Sequence, residues 1–206
     1  AVAEAVSAQL ASVVVGNPCN PEVRMGSLVS RAQFGGVQAG IDALAAHTDV
    51  LHDGRTRPLV DADPAVAACV DPVLLGARDA DRASIVHDVE VFGLVATLLP
   101  YNDLPHALAL AQRGQGLLVT SLYGADDKAL AQAALALAAS NGRVHVVTLA
   151  VATAHTGHGN VMSMSLHGGP GRAGGGAEVG GLRELDFYHQ RSAVQASPEV
   201  LAALGC

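Results

Sequence analysis

Two amphipathic helices are predicted in the first part of the chain. The apolar residues of the first helix recur at helical spacing: Val2, Val6, Leu10 and Val13. No capping residue precedes this helix, so we expect the sequence to open inside a longer segment. After a turn cluster at 16–22, Ser30 and Gln33 form a capping box that predicts the start of the second helix. That helix has one apolar face: Phe34, Val37, Ile41 and Leu44.

Strands are predicted in the next part of the chain. The polar stretch HTDVLHDGR carries at most a short strand. The apolar stretch CVDPVLLGA surrounds Pro72, which predicts either an edge strand or a strand that begins at the proline. A longer strand is expected from Leu94 to Leu99.

A regular alternation of helices and strands follows. A helix capped by Asn102 or Asp103 precedes the apolar strand GLLVTSLYG. A second helix, capped by Asp126 or Asp127, precedes the strand RVHVVTLAV. Such a connection places its two strands parallel, and near-continuous apolar strands indicate a sheet covered on both faces. We therefore expect an α/β fold with a mostly parallel sheet covered by helices.

The composition changes after residue 150. The stretch 151–182 is rich in glycine, so we expect a long shaped loop rather than a packed helix or strand. The tail, 183–206, contains the alternating segment LDFYHQRSAVQ, expected as a strand, and SPEVLAALGC, expected to start a helix. We divide the chain at these points into 1–150, 151–182 and 183–206, all within one domain.

Charge and cysteine content exclude several classes of protein. A net charge of −7 without a Lys/Arg cluster argues against a nucleic-acid surface. No uncharged apolar run of about 18 residues and no secretory signal is visible, so we expect no membrane span and a cytoplasmic location. Cys19, Cys69 and Cys206 are widely spaced, which argues against disulfides and a thiolate zinc site. Nothing beside Cys19 or Cys69 suggests an activating base, so we expect neither to be a nucleophile.

Two patterns in the glycine-rich region invite a chemical interpretation. Gly169, Gly171 and Gly174 spell G-x-G-x-x-G, but no apolar strand leads into them, so loop geometry is the better explanation. His155 and His158 have the spacing of metal ligands, but the surrounding glycines provide no rigid scaffold for a third ligand. We therefore predict neither a dinucleotide-phosphate loop nor a metal site here.

Glu90 and Phe92, in the stretch HDVEVFGLV, are the strongest candidates for a binding site. The chain has three phenylalanines, three tyrosines and no tryptophan, so an aromatic side chain is uncommon in it. On a strand these two residues would share a face, and Phe92 could be core with Glu90 at its wet end. In the functional alternative, Glu90 accepts hydrogen bonds from vicinal hydroxyls and Phe92 packs on a flat ring beside them. That pairing would suit a nucleoside.

The stretch EVFGLV resembles the E-x-F-G-P-V signature of the aldehyde dehydrogenase superfamily. VVVGNP, MGSLVS and DPVLL precede it in the order and approximate spacing of that family, so the resemblance covers nearly the whole chain. The stretch from Ser165 to Leu204 is similar to the end of the dehydrogenase part of bifunctional phenylacetate-degradation enzymes, and to a related enzyme of benzoate breakdown. Those enzymes act on CoA-linked semialdehydes.

The resemblance implies an enzyme that oxidises an aldehyde to an acid with NAD or NADP, through a cysteine thiohemiacetal, hydride transfer and hydrolysis. It implies that Glu90 holds the nicotinamide ribose and that Phe92 lies against the nicotinamide. Leu94 replaces the proline of the motif, which restores a backbone N–H and loosens the local turn. In the family, the nucleophilic cysteine, the general base and the Rossmann-like domain come earlier in the sequence. The resemblance therefore places them before Ala1 and implies a partial catalytic domain with no catalytic residue and no activity of its own.

The resemblance also implies an assembly. Family members associate through a C-terminal strand that joins a sheet of a neighbouring subunit, and FYHQRSAVQ, at 187–195, is the matching segment. We expect a homodimer or a higher homo-oligomer, with a CoA-linked aldehyde as the small-molecule partner. Two alternatives remain at this point: a non-enzymatic α/β assembly module and a stand-alone nucleotide-binding fold.

Overall fold

The computed structural model describes residues 1–159, 168–174 and 189–205. They belong to two compact units, Ala1–Tyr101 and Asn102–Cys206. The division between these units falls inside the segment 1–150, and the domain boundaries at 150 and 182 remain predictions.

The first unit combines helices with a mixed three-stranded sheet. Its elements are α1 (Val2–Ala11), α2 (Arg31–Ala45), β1 (Asp49–Asp53), β2 (Val73–Gly76), α3 (Ile85–Asp88) and β3 (Val95–Leu98). Strand β2 is central, antiparallel to β1 and parallel to β3. The predicted helices and strands of this part of the chain are thus confirmed, with ends that differ by a residue or a few.

Helix α2 begins where its capping box predicts. The Ser30 side chain accepts a hydrogen bond from the backbone N–H of Gln33 at 3.1 Å, which satisfies one of the free donors of the first turn. The helix buries Val37, Ile41 and Leu44, spaced at about one helical turn. These three side chains pack with residues before and within β2 to form the core of the first unit.

Strand β2 corrects one of the two expectations for the stretch around Pro72. All four of its residues are buried, and it has a neighbour on each side, so the edge-strand expectation was wrong. Pro72 lies immediately before the first strand residue, Val73, as the other expectation had it. Its missing N–H therefore interrupts no hydrogen bond between β2 and its neighbours.

The second unit contains the predicted parallel sheet. Its elements are α4 (Leu104–Gln112), β4 (Leu117–Tyr123), α5 (Asp127–Ala138), β5 (Asn141–Val147), a 3-10 turn (Gly171–Ala173), β6 (Ala193–Gln195) and a last helix, here α6 (Pro198–Ala203). The strand order is β4-β5-β6, and both pairings are parallel. The α/β fold class is confirmed.

The sequence signals at the ends of these elements hold, with one difference. Asp103 caps α4 and Asp126 caps α5, each by accepting a backbone N–H of the first turn. The strand after α5 begins at Asn141 rather than after Gly142. Asn141 pairs with Leu117 in the ladder while its side-chain amide donates to the Leu137 carbonyl at 3.0 Å, so one residue both ends the helix and starts the strand.

The described part of the glycine-rich stretch packs by its backbone. A Cβ on Gly169 would collide with the Leu117 carbonyl, and a Cβ on Gly171 would collide with that of Gln115. The Arg172 N–H donates to the Gln115 carbonyl at 3.1 Å. The glycines therefore let this segment lie against the starts of β4 and β5, which is a packing role of the kind expected for the G-x-G-x-x-G string.

The tail strand pairs within its own chain. Residues 193–195 form β6, which pairs with β5, and residues 183–188 and Cys206 of the predicted tail lie outside the described part of the chain. Among the strands of the described residues, β6 is at the edge of its sheet. Within the described residues, no helix has the length and apolar character needed to cross a membrane.

The buried histidine His145 is expected to make the stability of the protein depend on pH. Only 3% of this residue is exposed, and burial, together with the nearby His155, Arg143 and His158, lowers the pKa of its imidazole. In the unfolded chain that pKa returns to about 6.5, so between the two values the unfolded state binds more protons. We predict that this contribution to the free energy of unfolding is complete above about pH 6.5 and is lost as the pH falls toward the lowered folded-state pKa.

Urea denaturation between about pH 8 and about pH 5 measures this dependence. The His145→Gln variant should show a shallower loss of stability, while His47→Gln, at an exposed position, should keep the wild-type slope. Equal slopes for the wild type and His145→Gln would contradict the prediction.

Candidate functional site

Glu90 and Phe92 lie in a loop between α3 and β3 and face away from the core. The alternate residues Val89 and Val91 pack against the core of the first unit. Glu90 is exposed, and Phe92 is 70% exposed. The interpretation of Phe92 as a core residue is therefore wrong. The strand on which Glu90 and Phe92 were expected to share a face is also absent, since β3 begins only at Val95.

Two glycines allow this loop to approach α2. A Cβ on Gly93 would lie 2.5 Å from a methyl carbon of Val37, and a Cβ on Gly40 would lie 2.7 Å from a methyl carbon of Val91. Real Cβ atoms do not approach so closely, so both positions require glycine, which has no Cβ. The phenylalanine–glycine pair of the motif thus has two tasks, since Gly93 brings the backbone onto α2 while Phe92 leaves its ring outside.

Short-range hydrogen bonds fix the backbone after Phe92. The Gly93 N–H donates to the Val91 carbonyl at 2.8 Å, and the Val95 N–H donates to the Gly93 carbonyl at 3.0 Å. The Leu94 carbonyl accepts from the Val73 N–H at 2.8 Å, which joins the end of the loop to β2. The loop is therefore held on both sides, by α2 and by the central strand. The looser turn expected from leucine in place of proline stays a prediction.

The sequence indicated only one of the two roles of Gln33 at this site. Gln33 was identified as a helix-capping residue, but its side-chain amide also donates to the Phe92 carbonyl at 2.9 Å. A capping box indicates contacts three or four residues away. No local pattern in the sequence points to a partner 59 positions further on.

The two described cysteines do not have the surroundings of a nucleophile. Cys69 is buried, and burial raises the pKa of its thiol, which disfavours the thiolate. Its sulfur lies 3.9 Å from the Gly16 carbonyl oxygen. Cys19 is exposed in the turn cluster, where its backbone N–H donates to the Asn17 side chain. Cys206 lies outside the described residues.

Two histidines of the second unit, His145 and His155, form a pair. The rings of His145 and His155 have centroids 5.2 Å apart, with an angle of 54° between their planes. Among residues 1–159, 168–174 and 189–205, no group of three or more His, Cys, Asp or Glu side chains could hold a metal ion. The sequence shows His145 near His155 and His158 along the chain, but it does not indicate which two rings come together, because His145 belongs to β5 and His155 to the loop that follows.

Comparison with known proteins gives the chain a family. The model of the aldehyde dehydrogenase family matches residues 1–194. The chain is 48% identical over 172 residues to the 3,4-dehydroadipyl-CoA semialdehyde dehydrogenase of Aromatoleum evansii, covering 82% of this chain and 33% of that protein. It is 43% identical over 183 residues to the protein MaoC of Klebsiella aerogenes, covering 88% of this chain and 53% of that protein. The chain thus spans about a third to a half of the length of these relatives.

Solved structures show the same fold. An aldehyde dehydrogenase from Bacillus cereus matches 91% of this chain with a TM-score of 0.69 and 24% identity, over 34% of its own length. The aldehyde dehydrogenase AldC from Pseudomonas syringae, solved with NAD⁺ and octanal, also matches 91% of this chain with a TM-score of 0.69 and 24% identity, over 35% of its length. With a family model that covers residues 1–194 and structural neighbours of the same fold, the chain belongs to the aldehyde dehydrogenase family.

Proposed function

We propose that this chain supplies the nicotinamide-contacting side of an NAD(P)-dependent aldehyde dehydrogenase that oxidises a CoA-linked semialdehyde to the acid. The observation that carries the proposal is the outward pair of Glu90 and Phe92, set on a loop whose backbone is fixed against α2 and β2. Family membership supports an oxidoreductase, and the proposal adds the cofactor, the residues that contact it and the substrate class.

The two side chains fit the nicotinamide end of such a cofactor. An exposed aromatic ring offers a flat apolar surface for another ring, and an exposed carboxylate two residues away accepts hydrogen bonds from hydroxyl groups. Full burial of a phenylalanine side chain would stabilise the fold by about 1.5–3 kcal/mol. Phe92 is exposed, so it obtains little of this stabilisation. Binding a planar group is the use that its position favours.

In the proposed reaction, an aldehyde, water and NAD(P)⁺ give a carboxylic acid, NAD(P)H and a proton. The cofactor, when bound, supplies the hydride acceptor. Glu90 would accept hydrogen bonds from the ribose hydroxyls, and such bonds to a charged acceptor are about twice as strong as neutral ones. Phe92 would lie against the nicotinamide and restrict its orientation. Restricting the reacting ring in this way lowers the entropy cost of reaching the reactive geometry.

The substrate class in this proposal comes from a relative. The protein from Aromatoleum evansii is named for a CoA-linked semialdehyde, and it is 48% identical to this chain over 172 residues. We extend that substrate class to the present protein and include the phenylacetate-type semialdehydes that the C-terminal resemblance implies. NAD and NADP remain equal candidates.

The nucleophile in this proposal lies in another part of the protein. A thiolate must attack the aldehyde, and neither Cys19 nor Cys69 has the exposure together with the neighbours that such a thiolate needs. We place the reacting cysteine, the general base and the cofactor-binding half before Ala1, as the resemblance does. The 206 residues would then carry half of a cofactor site and no independent activity.

We also propose that the protein is a homodimer or a larger homo-oligomer. In the described part of the chain, strand β6 is a sheet edge in the second unit, and an edge strand has backbone groups that can pair with another chain. The tail that contains it would make this contact with a neighbouring subunit.

The first prediction from this function concerns the 206-residue chain by itself. Incubated with NAD⁺ or NADP⁺ and 3,4-dehydroadipyl-CoA semialdehyde, it should produce no NAD(P)H, because neither of its described cysteines, Cys19 and Cys69, is an activated thiol. Absorbance at the NAD(P)H band measures the outcome. Turnover by the chain alone would refute the proposed division of the site.

The second prediction concerns Phe92 in the full-length protein. Phe92→Ala should slow hydride transfer or raise the KM for NAD(P)⁺, by about fivefold, because the nicotinamide loses an aromatic contact of about 1 kcal/mol. Steady-state and single-turnover rates of NAD(P)H formation separate the two effects. Tyr101→Ala is the matched control, since it removes another exposed aromatic side chain, at the other end of β3. Unchanged kcat and KM in Phe92→Ala would reject a cofactor contact.

The third prediction concerns assembly. Light scattering after size-exclusion chromatography of the full-length protein should give at least twice the mass of one chain, because the edge at β6 pairs between subunits. A single monomeric species at high concentration would count against the proposed interface.

A further inference from the structure

The side-chain amide of Gln33 joins two parts of the first unit. Its Oε1 accepts a hydrogen bond from the Val29 N–H at 3.1 Å, and its Nε2 donates to the Phe92 carbonyl at 2.9 Å. The backbone N–H of the same residue donates to the Ser30 hydroxyl at 3.1 Å. Gln33 thus ties the loop that carries Phe92 to the chain entering α2.

Capping alone does not require glutamine at this position. In a capping box the third helical residue is Glu or Gln, since either side chain offers an acceptor to the backbone before the helix. A carboxylate also suits a helix N-terminus because of the helix dipole. Only the amide, however, carries a donor for the Phe92 carbonyl. The contact with the loop is therefore the one that distinguishes glutamine from glutamate.

This contact acts on the backbone at the base of the exposed ring. Gly93 lies against Val37 on one side of that backbone, and Gln33 holds the carbonyl of Phe92 immediately before it. The ring itself is 70% exposed, so few protein contacts set its direction. Its orientation must come largely from the backbone that carries it.

We propose that Gln33 is a positioning residue that holds the Phe92 ring in place against the nicotinamide. The proposal rests on the proposed function of Phe92 and goes beyond it, because Gln33 needs no contact with the cofactor. Loss of the amide donor leaves the Phe92 side chain unaltered but allows the backbone of Phe92 to shift.

The test uses Gln33→Glu in the full-length protein, with and without Phe92→Ala. Glutamate keeps the acceptor for the Val29 N–H and replaces the donor to Phe92 by a carboxylate oxygen that repels the carbonyl. In single turnovers with NAD⁺ or NADP⁺ and 3,4-dehydroadipyl-CoA semialdehyde, hydride transfer should slow about fivefold, the size expected for one neutral hydrogen bond. In the Phe92→Ala background, Gln33→Glu should cause no further loss. The Val29 amide should stay protected from hydrogen exchange, and the thermal midpoint should fall by no more than the loss of one hydrogen bond explains.

Gln38→Glu is the matched control. It introduces the same charge into the same helix, but the Gln38 side chain accepts from Arg55 at 3.0 Å and the change should leave hydride transfer as it is. If the added charge acted on the cofactor directly and not through the Phe92 ring, its effect would persist in the Phe92→Ala background. An equal loss in both backgrounds, or no loss in either, overturns the role of Gln33.

The two proposals fail in different ways. If Phe92→Ala alone changes nothing, the proposed function of Phe92 fails, and the role of Gln33 falls with it. If Phe92→Ala slows hydride transfer and Gln33→Glu does not, only the positioning role is wrong. Unfolding of Gln33→Glu, seen as a lower thermal midpoint with loss of Val29 protection, would show that the residue serves the helix cap and would also reject the proposal.

Discussion

The approach of residues 89–93 to helix α2 determines where the candidate site points. Val89 and Val91 pack into the core, and with the alternation of the extended backbone the residues between and after them face outward. Gly93 makes this approach sterically allowed, because its missing side chain leaves room for Val37. If the backbone stood further from α2, the core would lose two valines and the ring of Phe92 would lose its fixed base.

The same constraint connects stability with function. Core packing of the first unit accounts for α2, β2 and the valines of the loop, and it does not account for a phenylalanine that is 70% exposed. Most of the chain thus agrees with ordinary rules of burial, and Phe92 is one of the large apolar side chains that depart from them. Departures of this kind are expected at functional sites, where local preference yields to the needs of a ligand.

Local sequence signals were sufficient for every described α-helix except the short α3, and for the parallel arrangement of β4 and β5. Caps at Ser30, Asp103 and Asp126 are contacts between near neighbours, so the sequence shows them directly. The exposure of Phe92 was not visible, because an alternating pattern describes an extended segment whether or not it joins a sheet. The bond between Gln33 and Phe92 depends on tertiary packing across 59 positions, which no local pattern contains. The central place of β2 likewise depends on which strands flank it.

The most direct test of the account is whether nicotinamide lies against Phe92. The chain has three phenylalanines, so selective labelling of their rings in the full-length protein gives few signals to assign by NMR. With saturating NAD⁺ or NADP⁺, nuclear Overhauser effects should join the nicotinamide protons to the Phe92 ring, while the Phe34 ring, which packs in the core, should show none. Bound cofactor without such contacts at Phe92 would contradict the account.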